Sequence, residues 1–253
     1  DRSALRVMIG LRKYICSQFK PNVAKAMYDL FKSKNVMDFS MGWGDRLAGF
    51  FANQNTELYV GLDPRKENHP IYNQQAEYYN SHLTMFETPK TTKFHCEAAE
   101  DFNYEDYEDT FDIIFTSPPY FNVERYSHDD TQSWVRYKDI NNWNTQFLQK
   151  ALDNMLPTLR SGGKLCINIS DVYSPSAGKK AWSKICDPMN DFIQSYGGME
   201  YKGCIGMEMA KRPNSGGAGT AKDTKQYTEE SLQLAKETKN KRFCEPIWIW
   251  EKK

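Results

Sequence analysis

The chain has 253 residues, 40% hydrophobic and 26% charged, enough for one large domain or two small ones and too mixed for a fibre or a disordered tail. Lys plus Arg and Asp plus Glu are both 33, so a formal charge of zero gives no bulk attraction to a polyanion and any such binding must come from local charge. No run reaches the ~18 apolar residues of a membrane helix, and the opening DRSALRVMIGLRKYICSQFK has no secretory h-region. The expectation is a soluble, cytoplasmic protein without a membrane partner.

The cysteines (Cys16, Cys96, Cys166, Cys186, Cys204, Cys244) are scattered singly, and His69, His82, His95 and His128 form no ligand-spaced pair. Buried reduced thiols are expected and no metal site is.

In chain order, apolar runs that end at turn signals predict strands over 36–39, 58–62, 93–96, 111–116, 164–170, 201–208 and 244–251. Helical periodicity falls between them, over 21–32 (Val23, Met27, Leu30 and Phe31 on one face), 46–53, 72–82, 143–159 and 181–195. This alternation predicts an α/β fold, one doubly wound domain with a largely parallel seven-stranded sheet and helices on both faces. Three stretches break the rhythm. Residues 97–112 are acidic without Lys or Arg and read as a solvated face. Residues 121–142 are long for a strand-to-helix connection, and 211–242 form a long insertion with a Gly-rich start and eight basic against four acidic residues. Connections of that length are functional or disordered.

The first candidate site follows the first strand: Asp38-Phe39-Ser40-Met41-Gly42-Trp43-Gly44-Asp45-Arg46. Gly42 and Gly44 allow a sharp turn and close approach to a ligand at a helix N-terminus, although a lone GxG also makes an ordinary tight turn, and Leu47 stands where a dinucleotide fingerprint needs its third glycine. The second strand ends at Asp63, where a carboxylate can accept both hydroxyls of a ribose, and the third ends at Cys96-Glu97. A glycine turn and two acids on successive strand ends form the layout of a site for an adenosine-containing cofactor. The fourth strand runs into Ser117-Pro118-Pro119-Tyr120. Two prolines stiffen the exit and remove N–H donors, leaving carbonyls to face a site. Pro-Pro also simply ends strands, but that leaves the flanking Ser and Tyr unexplained.

The ordered set DFSMGWGDRL, YVGLDP, FHCEAAED, IIFTSPPYF and LRSGGKLCINISD, with the final strand CEPIWI, resembles the S-adenosylmethionine-dependent DNA methyltransferases that act on exocyclic amino groups, cytosine N4 or adenine N6. The resemblance runs from about Pro21 to Lys253, and GWGDR with SPPYF and Glu124-Arg125-Tyr126-Ser127 looks like phage or mobile-element members. It implies a class I, Rossmann-like methyltransferase domain over the whole chain, with the cofactor turn ahead of the catalytic motif. It implies S-adenosyl-L-methionine as cofactor, with Asp38, Gly42 and Gly44 beside its methionine part, Asp63 on the ribose and Glu97 near the adenine. Lys20 and Asn22, flanking Pro21, fall where the family often contacts the cofactor carboxylate. The catalytic tetrapeptide maps to Ser117, Pro118, Pro119 and Tyr120. Ser117 and the Pro118 carbonyl would accept from the amino group, and Tyr120 would stack on a flipped base. Phe121, Lys211 and Arg212 are the further substrate contacts expected.

Ser117 at the first position leans the reading to cytosine N4, because adenine enzymes mostly carry Asp or Asn there. RNA or protein-glutamine N-methyltransferases with related loops usually begin them with Asn. A non-catalytic nucleic-acid-binding subunit would have no reason to keep Gly42, Gly44, Asp63, Ser117 and Tyr120 together. Cytosine-C5 chemistry is disfavoured because no proline precedes a cysteine. No separate target-recognition domain is evident. The expected partner is DNA, read by 121–142 and 211–242 or by another subunit or chain region, and a homodimer or a separate specificity subunit is the further partner considered.

Overall fold

A computed structural model describes residues 18–84, 88–174, 181–209 and 243–253. The expected insertion 211–242, with Lys211 and Arg212, and Cys16 lie outside the described residues. The elements are, in order, α1 (Pro21–Leu30), β1 (Asn35–Asp38), α2 (Asp45–Phe51), β2 (Leu58–Leu62), α3 (His69–Ser81), β3 (Thr91–His95) and β4 (Phe111–Thr116). After these come α4 (Ser133–Arg136), α5 (Ile140–Asn142), a π-helical segment (Trp143–Gln149), α6 (Lys150–Met155) and β5 (Leu159–Asn168). A short hairpin, β6 (Val172–Ser174) with β7 (Ala181–Ser183), precedes α7 (Cys186–Tyr196), β8 (Met199–Met209) and β9 (Phe243–Lys252).

The seven main strands run in the order β3-β2-β1-β4-β5-β9-β8. β1 to β5 are parallel, while β9 runs antiparallel between β5 and β8. Residue alternation explains why helices cover both faces. Met37, Val60, Ile114, Leu165, Ile167, Trp248 and Trp250 face one core, packed with Trp143, Phe147, Leu152 and Ile193. Their neighbours Val36, Tyr59, Ile113, Cys166, Ile247 and Ile249 face the other, with Ala24, Met27, Leu47, Phe50 and Tyr72. The buried indoles keep their N–H groups satisfied, Trp248 on the Ile169 carbonyl (2.9 Å) and Trp250 on Asn190 Oδ1 (2.9 Å).

Several expected elements shift. α1 opens on Pro21, whose missing N–H costs nothing there, but it buries Ala24, Met27 and Tyr28, and Leu30 is 58% exposed. The expected helix 143–159 is a relay of π, α and 3₁₀ turns that stops at Thr158, and Leu159 already belongs to β5. The expected helix 181–195 begins instead with β7. Its helical part starts at Cys186, because Asp171 Oδ1 takes the N–H groups of Ile185 (2.8 Å) and Cys186 (2.9 Å). The acidic stretch is solvated only in part: Glu100 is 1% exposed and paired with Arg136 at 2.7 Å, and Asp112 takes the backbone N–H groups of Lys34 and Asn35. Of the described cysteines only Cys166 and Cys186 are buried, and Cys96 is exposed. Among the described residues no helix is long and apolar enough to cross a membrane.

Candidate active site

The site stands at the carboxyl ends of β1, β2 and β4, where loops leave a parallel sheet on its open rim. Asp38 ends β1, fully buried under the turn, and it does not line the cavity as Gly42 and Asp63 do. Arg46 Nε and Nη2 reach its oxygens at 2.8 and 3.2 Å, and the Tyr59 hydroxyl (2.7 Å), the Thr116 hydroxyl (3.0 Å) and the Ser40 N–H (3.2 Å) also donate to it. Asp38 is the knot that ties the turn to three elements.

The two glycines of the turn do different things. Gly42, at φ 58°, lines the cavity, and a Cβ there would meet nothing within 4 Å. Its N–H donates to Asp63 Oδ2 (3.0 Å) and its carbonyl accepts from Asn68 Nδ2 (2.9 Å) and the Tyr72 hydroxyl. Gly44, at φ 82°, is instead the residue ahead of α2, and a Cβ there would stand 2.3 Å from Gln75 Oε1. Its left-handed backbone is what calls for glycine, since the Gln75 side-chain end could move aside.

Asp63 lines the cavity at 9% exposure. Its Oδ2 accepts from Gly42 and its Oδ1 from the Arg65 N–H (2.9 Å). Burial raises its carboxyl above the ordinary aspartate range, and the Arg65 and Gly42 backbone donors pull partly the other way. Each oxygen keeps acceptor capacity toward the cavity, the arrangement that suits two neighbouring hydroxyl donors. Glu97 is exposed and off the cavity, whereas Ala98, Ala99 and Glu100 from the same turn line it. Lys20 and Asn22 are off it too: Lys20 Nζ donates to the Glu208 carbonyl and Asn22 is exposed on α1.

Ser117 and Pro119 carry the β4 exit to the same cavity, so the end of β4 and Asp63 share one space. Ser117 Oγ donates to Asn168 Oδ1 at 3.3 Å. Pro118 is buried and Tyr120 lies behind, its hydroxyl donating to Glu245 Oε2 (3.3 Å) and its N–H to Glu124 Oε2 (3.3 Å). Burial, then the neighbouring Glu245 and Glu124 carboxylates, hold the Tyr120 phenol well above its ordinary range. Phe121 is not a surface contact: at φ 45° it turns inward, 6% exposed, against Trp143 with centroids 6.1 Å apart.

The segment 121–142 forms one wall, through Tyr126, Thr131, Gln132 and Ser133. It is held by Arg136 and the Tyr137 hydroxyl (3.1 Å) on Glu100, and Tyr126 meets Trp43 edge to face at 5.6 Å. Arg65, Asn68 and Trp43 also line the cavity and went unread in the sequence. Trp43 stood in plain view between the glycines. Nothing in the sequence marks Tyr126 as its partner.

The profile of the DNA methylase family, the N6/N4 type, matches residues 111–253, more than half of the chain. No curated protein matches it. Among solved structures the chain is similar to PH0851 (TM-score 0.53, 12% identity, covering 94% of this chain and 47% of that one). It is also similar to TrmN from Thermus thermophilus (0.51, 12%, 92% and 49%) and to the [4+2]-cyclase SpnF (0.50, 12%, 90% and 80%). The chain spans about half the length of the first two. At this identity the likeness shows the fold alone, and the strand order agrees with it. The cavity offers a buried acceptor pair for a ribose beside an open glycine turn, which fits the family's methyl donor. The chain belongs to the N6/N4 DNA methylase family, a class I methyltransferase fold whose cofactor is S-adenosyl-L-methionine.

Proposed function

We propose that the protein transfers a methyl group to an exocyclic amino group of a DNA base, cytosine N4 ahead of adenine N6. The observation that carries the reading is the convergence of Ser117 and Pro119 with Gly42 and Asp63 on one cavity. Asp63 would hold the ribose of the cofactor, with Gly42 and Asn68 shaping the turn beside it. The bound cofactor supplies an electrophilic methyl on a sulfonium sulfur.

An exocyclic amino group is a poor nucleophile because its lone pair is delocalised into the ring. Ser117 Oγ and the Pro118 carbonyl would accept its two hydrogens, drawing the nitrogen toward tetrahedral geometry and freeing the lone pair for in-line attack. These bonds strengthen as positive charge grows on nitrogen, so they favour the transition state over the bound substrate. No strong base is needed beforehand, since the nitrogen becomes acidic once it carries the methyl. Tyr120 would take the face of a base turned out of the helix.

The test is incubation with isotope-labelled cofactor and DNA from a strain without amino-methylation, then digestion to nucleosides and mass spectrometry. N4-methylcytosine is the expected product. N6-methyladenine would move the substrate to adenine, and label in RNA or protein but not DNA would overturn the assignment.

A further inference from the structure

β5 is apolar where it crosses the sheet: Leu165, Cys166, Ile167 and the following Ile169 are fully buried. Asn168 interrupts this run at 1% exposure. A buried amide persists where its hydrogen bonds have work to do, and those of Asn168 join two strands at the catalytic loop. It pairs in register with Ile247 on β9, and its Nδ2 donates to the neighbouring Pro246 carbonyl at 3.0 Å. That carbonyl can only accept, so it fixes which end of the amide faces which way. Oδ1 is thereby turned to Ser117 Oγ, 3.3 Å away.

We propose that Asn168 is a positioning residue that makes Ser117 an acceptor. An amide oxygen cannot donate, so the single hydroxyl hydrogen of Ser117 is the one shared between them. What remains toward the cavity is oxygen lone pairs. A serine free to rotate could instead donate to the amino nitrogen and occupy the same lone pair that must attack the methyl. Asn168 removes that unproductive orientation through a two-bond relay, Ser117 to Asn168 to Pro246. The inference rests on the proposed role of Ser117 toward the substrate amino group.

The experiment is a double-mutant cycle read by single-turnover methyl transfer at saturating labelled cofactor, on DNA from a strain without amino-methylation. Asn168→Ala and the bulkier Asn168→Leu should each slow transfer about tenfold, the scale of one hydrogen bond, with S-adenosylhomocysteine affinity unchanged. In a Ser117→Ala background the same changes should alter the rate less than about twofold, because the hydroxyl they orient is gone. Equal losses with and without Ser117, or Asn168→Ala at the parent rate, would overturn the positioning role. Ser117→Ala at the parent rate would instead remove the acceptor role of Ser117 itself, a separable failure.

Discussion

Arg46 closes on Asp38 as a two-point ion pair, with Nε to Oδ2 at 2.8 Å and Nη2 to Oδ1 at 3.2 Å. Their side chains are 4% and 0% exposed, and Arg46 also donates to the Ser40 carbonyl and lies over the Phe19 ring at 5.0 Å. The pair spans the turn, so the end of β1 and the start of α2 are fixed to each other beneath the cavity floor. Removing one partner strands the other charge in the core. Arg46→Ala should therefore cost about 3–5 kcal/mol of stability, measured by urea unfolding. A loss below about 1 kcal/mol would mean water reaches Asp38.

Asp63 gives a prediction in two parts. Asp63→Ala should weaken S-adenosylhomocysteine binding by about 1.5–3 kcal/mol, on the order of 10- to 100-fold in Kd, as expected for charge-assisted bonds to hydroxyls. Stability should also fall by about 1–3 kcal/mol, because the Gly42 and Arg65 N–H groups lose their acceptor. Calorimetry decides it, and unchanged affinity removes Asp63 from the ribose site.

The pH dependence follows from the direction of the Asp63 shift. Burial raises the folded carboxyl above its unfolded value, so this group favours folding in its protonated form. That contribution is full below the unfolded pKa and is lost as pH rises through the folded one. Ribose hydroxyls bind the ionised form, so affinity should decline as pH falls through a point above the ordinary aspartate value of about 4. Binding in that window should release a proton, seen as a binding enthalpy that changes with the buffer's ionisation heat. Enthalpies independent of buffer across that window would show that Asp63 is already ionised there.

The fold was legible because its strands are short apolar runs whose alternate residues both find cores, as Ile113 and Ile114 do on opposite faces of β4. The reading failed where a distant partner decides. Asp171 starts α7 from fifteen residues upstream of Cys186, and no local pattern announces such a cap. Asp38 was read beside the cofactor because it ends a strand before a glycine turn, and nothing local announces that Arg46 eight residues later would close on it. Phe121 was expected to meet the substrate as the resemblance implies, but a left-handed backbone turns it into the core. Asn168 was visible as a polar residue in an apolar strand, and only the fold shows that it faces Ser117.

Trp43 and Tyr126 meet at 5.6 Å with planes 89° apart, one from the glycine turn and one from the 121–142 wall. An edge-to-face pair is worth about 0.5–1.5 kcal/mol beyond its burial. If this contact must open for the cofactor to leave, Trp43→Ala and Tyr126→Ala should each speed S-adenosylhomocysteine release roughly 2- to 10-fold. Trp43→Phe should stay near the parent rate. Stopped-flow displacement measures it, and release unchanged in both alanine variants would show the wall does not gate the cavity.

Tyr120 separates two contributions, the ring and its hydroxyl. The hydroxyl donates to Glu245 on β9, so the ring is held from the far side of the sheet order, while its backbone N–H is held by Glu124 within its own loop. Tyr120→Phe keeps a face for a base but loses the hydroxyl anchor. Tyr120→Ala loses both. If stacking is what captures the extruded base, Tyr120→Ala should weaken DNA binding and capture by about 1–3 kcal/mol, and Tyr120→Phe should lose a smaller part. A fluorescent base analogue at the target position reports extrusion directly, and cofactor affinity serves as the control that the cavity is intact. Should the phenylalanine and alanine variants fall equally, the bond to Glu245 rather than the aromatic face would be the part that matters, and the stacking role would pass to another ring on the cavity.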